Sequence, residues 1–310
     1  MRPLNALSAP VPALRDNLND RRGRPIDTRQ PSFAYKIRES QDAWRLARQM
    51  RVVTPLQAVD HKLDGARFAD ALGVRPPKIL GGPASLAELT PPECASFTLK
   101  PLRGTSGKGV LLLKREKSGF RDLLSKALYP TWSSACAASQ RSVNHNEEFY
   151  IEELVCNNSV SESCPDDFKF YCFYGVVGVI LQKKRINNKK SLYRWLNSSW
   201  EVVNTGRYVN RVDSNLPTPE NKGKLLLAAE RLSSSVPVPF LRIDLYADDE
   251  GAVFGEFTPH PGGFDTFSEK WDIKLGSLYE AASARLQIDL VHCRFDLNAF
   301  WSRFGRSHGP

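Results

Sequence analysis

Two stretches of this chain combine residue types and spacings that can do chemistry. The first runs Phe97-Thr-Leu-Lys-Pro-Leu-Arg-Gly-Thr-Ser-Gly-Lys-Gly-Val110. Gly104, Gly107 and Gly109, with the hydroxyls of Thr105 and Ser106 and the charge of Lys108, fall between two strand-like segments. Backbone N–H groups in such a loop can turn inward and cradle phosphate oxygens. Lys100 lies on the strand entering the loop, where it places a point charge on a bound phosphate. Walker spacing counted from Gly104 reaches Val110 where a lysine should stand, and the dinucleotide fingerprint fails likewise. A protein kinase would carry its lysine after the loop, and neither His-Arg-Asp nor Asp-Phe-Gly occurs.

The second stretch is a hairpin of two carboxylates. In Leu241-Arg-Ile-Asp-Leu-Tyr246, Leu241, Ile243 and Leu245 share one face while Arg242, Asp244 and Tyr246 share the other. A three-residue turn over Asp249, Glu250 and Gly251 sets a register in which Asp244 lies opposite Glu256. Facing carboxylates with Cβ atoms about 5 Å apart repel unless a cation sits between them. Magnesium takes one or two carboxylates and completes its shell with phosphate oxygens, so Asp244 and Glu256 are expected to hold Mg2+ against a nucleotide.

Both motifs need strands to position them. Apolar spacing predicts helices over 40–50 and 62–72, the second stopped by Gly73, and an extended segment at 78–80. Strands follow at 97–100 and 110–114, then a helix around 120–128 and a strand at 149–155. A strand pair at 168–175 and 176–184 turns at Gly175. A helix over 219–235 opened by Thr218 precedes the carboxylate hairpin. Residues 185–221 carry no readable pattern.

Composition sets the outer bounds. With 310 residues, 41% of them hydrophobic and 25% charged, the chain has enough sequence for about two compact units. No apolar run approaches the roughly 18 residues of a membrane span. The six cysteines (Cys94, Cys136, Cys156, Cys164, Cys172, Cys293) never form a Cys-x-x-Cys pair, which argues against a zinc ribbon or a thioredoxin site. Unpaired thiols and the lack of a signal-like apolar segment in the first fifteen residues point to the cytoplasm. Residues 1–51 carry eleven Arg and Lys against five Asp and Glu, most of the net +9. Five prolines break residues 1–32 into a flexible basic leader, and its lack of aromatics argues against nucleic acid as the partner.

Lysine, glycine loop, acidic strand, basic strand and Arg-x-Asp hairpin with its Glu follow the order used by ATP-grasp enzymes, and the chain resembles them. Asp167-Phe-Lys-Phe-Tyr-Cys-Phe-Tyr-Gly175, Gly255-Glu-Phe-Thr-Pro-His-Pro-Gly-Gly-Phe264 and Trp271-Asp272 narrow the resemblance to the TupA-like ATP-grasp family over about residues 60–280. That family is associated with teichuronopeptide and related surface-polymer synthesis.

The resemblance implies an α+β, two-lobed ATP-grasp fold with a short N-terminal helical region. It divides the chain into the leader (1–32), the helical region (33–92), a small lobe with the glycine loop (93–165), a large lobe with the metal site (166–285) and a C-terminal tail (286–310). It implies that Lys100 and the loop 104–109 hold ATP phosphates, that Glu152, Glu153 and Leu154 meet adenine and ribose, and that Lys169 and Arg185 add phosphate contacts. Arg242 would stabilise developing negative charge. Many ATP-grasp enzymes continue the metal motif as Glu-x-Asn, whereas here it is Glu256-Phe-Thr258, so Thr258 bears on the second metal ion. His260, between Pro259 and Pro261, is either a general base or a rigid loop residue shaping the acceptor pocket, and the second reading is preferred. The activity implied is ATP-dependent and Mg2+-dependent ligation of a carboxylate to an amine through an acyl phosphate. A nucleotide-binding module without turnover, and a sugar phosphotransferase on the same scaffold, remain as alternatives.

Overall fold

The computed structural model describes residues 30–104, 107–155 and 165–305. All but the last three residues of the expected leader lie outside the described residues, as do Thr105 and Ser106. Ser32 closes that leader as a helix cap: its hydroxyl accepts from the Tyr35 N–H and opens α1 (Phe33–Gln49) seven residues earlier than the apolar spacing indicates. Helix α2 (Pro55–Asp60) begins in a capping box between Thr54 and Gln57, with Pro55 in its first turn. Helix α3 (Lys62–Ala71) falls where expected.

Six strands, β1 (Ile79–Ala84), β2 (Ser96–Pro101), β3 (Leu111–Glu116), β4 (Gly119–Asp122), β5 (Leu128–Tyr129) and β6 (Phe149–Glu153), form an antiparallel sheet in the order β1-β6-β2-β3-β4-β5. Helix α4 (Trp132–Gln140) packs on it over Phe97, Leu99, Phe120 and Phe149. The helix expected over 120–128 is instead β4, a turn and β5. Asp122 ends β4 by accepting from the N–H groups of Leu112 and Ser125, which holds the chain in a turn and denies it to a helix.

The second sheet contains β7 (Asp167–Phe173), β8 (Val176–Arg185), β9 (Ser191–Leu196), β10 (Leu241–Ala247) and β11 (Ala252–Thr258), in the order β11-β10-β7-β8-β9, again antiparallel. One face, with Phe168, Phe170, Ile243 and Leu245, packs against α3 and α5 (Lys222–Ser234). On the other face Tyr171, Phe173, Val179, Leu181, Tyr193 and Trp195 join the cluster beneath α1 and α6 (Glu269–Val291), and the β7, β10 and β11 side of that face is polar. Strand β9 escaped the sequence reading because it is buried on both sides: Tyr193 and Trp195 enter one core, while Arg194 is sequestered on Gln182 and Thr218. Thr218 therefore caps no helix, and α5 starts at Lys222 after Asn221.

Packing redraws two expected boundaries. Strand β1 pairs with β6, so the first sheet recruits chain from Ile79 and not from 93. Helix α6 runs unbroken past 286, and α7 (Leu297–Ser302) seats a fully buried Phe300 against Phe68 of α3. Residues 286–305 are thus anchored to the core through Leu286 and Phe300 rather than forming a tail.

Candidate active site

The polar face of the second sheet is built strand by strand. Strand β10 presents Arg242 and Asp244, β7 presents Asp167 and Lys169, and β11 presents Glu256 and Thr258. Asp244 lies opposite both Lys169 and Glu256, and Arg242 opposite Thr258. The pairing of Asp244 with Glu256 is as expected, but by another route. The turn is tighter than three residues, with Asp248 and Gly251 closing it, and it pairs Leu245 with Phe254. A bulge at Gly255 then inserts one residue, so that Phe254 and Phe257 both reach the core while Glu256 stays on the polar face. A Cβ at Gly255 would lie 3.0 Å from the Asp244 carbonyl oxygen.

Charge on this face is internally compensated. Asp244 is 2% exposed and takes both guanidinium branches of Arg242, at 2.6 and 2.7 Å, together with the Lys169 ammonium. Burial works to raise the Asp244 carboxyl, yet Arg242 and Lys169 outweigh it and hold it below its ordinary value. Burial would likewise lower Lys169, but Asp167 (2.6 Å) and Asp244 keep it above the usual lysine range. The cation that two facing carboxylates require is therefore supplied by protein. Lys169, expected on phosphate, is the counter-ion of this cluster. Thr258 accepts from Arg242 at 2.8 Å and so orients the guanidinium.

Glu256 differs from its partner. Its side chain is 45% exposed in the cleft, with Arg242 3.6 Å away, and burial first and Asp244 second raise its carboxyl. Oδ1 of Asp167 is buried without a hydrogen-bond partner. Among the described residues no group of three or more His, Cys, Asp or Glu forms a ready cage. Glu256 and one oxygen of Asp244 fit an ion that brings most of its own ligands, as Mg2+ does with water and phosphate, and it would have to draw Asp244 partly away from Lys169.

The first sheet supplies the facing wall. Lys100 on β2 ion-pairs with the buried Glu152 of β6. Gly107 and Gly109 adopt φ of +74° and +72°, which glycine alone takes without strain, and a Cβ at Gly104 would strike the Pro101 ring at 2.3 Å. The loop reaches the second sheet: a Cβ at Gly107 would lie 3.5 Å from the Arg185 guanidinium. Arg185 thus stands by the glycine loop, where phosphate is expected. Leu154 packs against Leu112, Leu123 and Leu124.

Four residues in this cleft were missed in the sequence. Lys62, at the start of α3, donates to the Pro101 carbonyl at 2.7 Å; burial lowers it, and its charged neighbours include Glu256, Lys100, Glu152, Glu147 and Asp60. It stands between the two walls. A lysine in the first turn of a helix opposes the helix dipole, and that mismatch was a legible signal. Asp60 is pushed up to about 6 by burial and by Glu256, against the pull of Lys62. Arg75 pairs with Glu153 of β6 and with Asp248 of the β10–β11 turn, and its carbonyl accepts from the Phe254 N–H. Glu153 is thus engaged by Arg75. Lys183, beside Arg185, is lowered by burial and by that arginine.

His260 is placed away from this cluster. Its Nε2 lies 3.1 Å from the Ser40 hydroxyl of α1, its ring stands edge-on to Trp44, and burial pushes it down to about 4. These contacts brace the 259–263 loop against α1.

A sequence model described as TupA-like ATPgrasp matches residues 46–280. No curated protein matches the chain. Similar solved structures include D-alanine–D-alanine ligase from Helicobacter pylori (14% identity, 72% of this chain and 58% of that one, TM-score 0.43). The VanG D-Ala:D-Ser ligase from Enterococcus faecalis gives 14% identity over 74% of this chain and 62% of that one, TM-score 0.43. The D-alanine–D-alanine ligase from Bacillus anthracis gives 12% identity over 75% and 70%, TM-score 0.47. The chain spans less than two thirds of the length of the first two.

Proposed function

The chain belongs to the TupA-like ATP-grasp family, and from that membership we propose that it is an ATP- and Mg2+-dependent carboxylate–amine ligase serving surface-polymer or small-metabolite synthesis. The observation that carries the reading is the placing of Lys100, Lys62 and the glycine loop across a cleft from Arg185, Glu256, Asp244 and Arg242. Phosphate charge has cations on both walls, and carboxylates for the divalent ion lie beside the arginine that would meet the reacting acid.

In this reading an oxygen of the substrate carboxylate attacks the γ-phosphorus of ATP and the bond to the β-phosphate oxygen breaks, releasing ADP. A neutral amine then adds to the acyl carbon, and phosphate leaves carrying the amine proton. Glu256 and Asp244 would hold magnesium, which would supply positive charge against the phosphates. Arg242, held flat by Asp244 and Thr258, stabilises charge on the acyl oxygen without reorganising. Lys62 and Lys100 hold the terminal phosphates, and the 104–109 loop excludes water. Glu153 and Leu154 remain the proposed edge of the adenosine site, with Arg75 to be displaced or shared.

A single screen tests this: ADP release by the full chain with ATP and Mg2+ against a panel of acids and amines, with products identified by mass spectrometry. Amide formation is expected. A phosphorylated sugar would favour the phosphotransferase. The neutralisation of Asp244 by Arg242 and Lys169 favours the second reading, a nucleotide-binding module, and ATP binding without ADP release under every acid would establish it.

A further inference from the structure

Beyond Arg242, on the side away from the glycine loop, the same face continues into a second cationic centre. Tyr171 follows Asp167 and Lys169 along β7 and lies opposite Arg242 in the register. Its hydroxyl accepts from Arg207 at 3.2 Å. Arg207 is 4% exposed and stacks among Trp195, Tyr208 and Phe267, with ring centroids 5.4, 5.0 and 4.6 Å from the guanidinium carbon. Its other contacts are neutral: the Tyr208 hydroxyl at 3.2 Å and the Gly262 carbonyl at 3.1 Å. Nε is buried without a partner. No carboxylate of the described residues lies within ion-pair distance of this guanidinium.

A buried guanidinium with no counter-ion is expensive, and aromatic faces offset only part of the penalty. Its two phenol partners both accept from it, so each keeps its own proton to donate, and the positive charge behind them strengthens that donation. Among the described residues neither hydroxyl has an acceptor. Tyr208 is held at φ +58°, in the left-handed region, and is 36% exposed, so its ring edge is open to a ligand. Gly263 lets the 262–263 backbone close on Arg207; a Cβ there would stand 2.8 Å from the guanidinium.

We propose that Arg207, Tyr208 and Tyr171 form a subsite for a second, non-reacting carboxylate of the acid substrate, so that the enzyme selects dicarboxylic over monocarboxylic acids. The proposal rests on the ligase reading of the adjoining face. One carboxylate is then presented to Arg242, and the other accepts from the Tyr208 phenol backed by Arg207, while Tyr171, 1% exposed, stays behind the contact. Arg207 and Tyr171 act through geometry and charge, and Tyr208 makes the exposed contact.

Equilibrium binding to the full chain with Mg2+ and a non-hydrolysable ATP analogue tests it without turnover. Dicarboxylates from malonate to adipate are compared with monocarboxylates of equal chain length. At least one dicarboxylate is expected to bind about tenfold or more tightly than its match, the size of one charge-assisted hydrogen bond. Tyr208→Phe, which removes only a hydroxyl and leaves Arg207 the Tyr171 hydroxyl and the Gly262 carbonyl, should erase that preference while nucleotide affinity stays unchanged and the protein stays folded, and Arg207→Lys should weaken it. Equal binding of both series, or a preference surviving Tyr208→Phe, overturns the subsite. A preference that holds while no acid and amine ever release ADP overturns the ligase reading instead.

Discussion

Replacing Asp244 and Glu256 one at a time by their amides should move stability in opposite directions, although the two carboxylates face each other. Asp244→Asn removes the negative charge that Arg242 and Lys169 share, and leaves two cations whose side chains are only 11% and 13% exposed. Removing one partner of a buried pair typically costs about 3–5 kcal/mol. Here Lys169 keeps Asp167, and Arg242 keeps Thr258 and Glu256, so the loss should fall at or below the bottom of that range, about 2–3 kcal/mol. For a chain of this size that is a melting-point drop on the order of 3–5 °C. Glu256→Gln removes a half-exposed charge whose carboxyl is raised by burial and then by Asp244, and should leave stability unchanged or higher by under about 1 kcal/mol. The sign with pH agrees. The depressed Asp244 carboxyl stabilises the fold above its unfolded value near 3.8 and loses that contribution as pH falls through the lower folded value. Urea titrations of both variants at pH 7, without nucleotide, decide the matter. A neutral or stabilising Asp244→Asn would refute the compensated cluster.

Lys100→Ala should lower ATP affinity roughly 10- to 100-fold and also destabilise the fold, because it strands the buried Glu152; adding Glu152→Gln should restore the melting point but not the affinity, and calorimetry reads both. Two groups titrate in the same acid window with opposite signs. His260, pushed down to about 4 from 6.5, contributes stability above pH 6.5 that drains as pH falls toward 4, whereas Asp60, pushed up to about 6 from 3.8, adds stability as pH falls through 6. His260→Gln should therefore flatten the acid loss, by on the order of 1–2 kcal/mol, and Asp60→Asn should raise stability at pH 7–8; melts across pH 4–8 that show the same slope in both variants would contradict the assignment. Arg75→Ala cuts two part-exposed ion pairs, should cost about 1 kcal/mol, and should speed proteolysis between 102 and 110 if Arg75 ties the two sheets together.

How much was legible divides by the kind of signal. Strands with one polar face, such as Leu241–Ala247, announce both register and chemistry through alternation, and the glycine loop announces itself by composition. Strand β9 has no polar face, so its period was invisible. The 120–128 segment looked helical from its leucines because nothing in the spacing shows that Asp122 will bond two backbone N–H groups. The hairpin register places Asp244 beside Glu256 as expected, but the neighbour on the other side of β10, strand β7, cannot be read from one hairpin. Lys169 therefore went to phosphate on paper and to Asp244 in the fold. Lys62, Arg75 and Arg207 sit in segments without a motif, and their positions emerge only once the two sheets meet.

The contacts of Lys62 and Arg75 fasten the helical segment 55–75, which packs on the second sheet, to the first sheet at two separate places. Pro101 stands opposite Phe149 at one end of the β2–β6 ladder, and Glu153 stands opposite Phe97 at the other. Two fastenings at opposite ends of one ladder work like the hinges of a door: sliding is blocked, and what remains is swing about a line along β2 and β6. Strands β4 and β5, at the free edge of the sheet, would sweep the widest arc, whereas the lysine and the glycine loop beside the hinge line would turn nearly in place. On the proposed ligase reading, a cleft hung in this way would admit and release a nucleotide while keeping the lysine and the glycine loop in register with it.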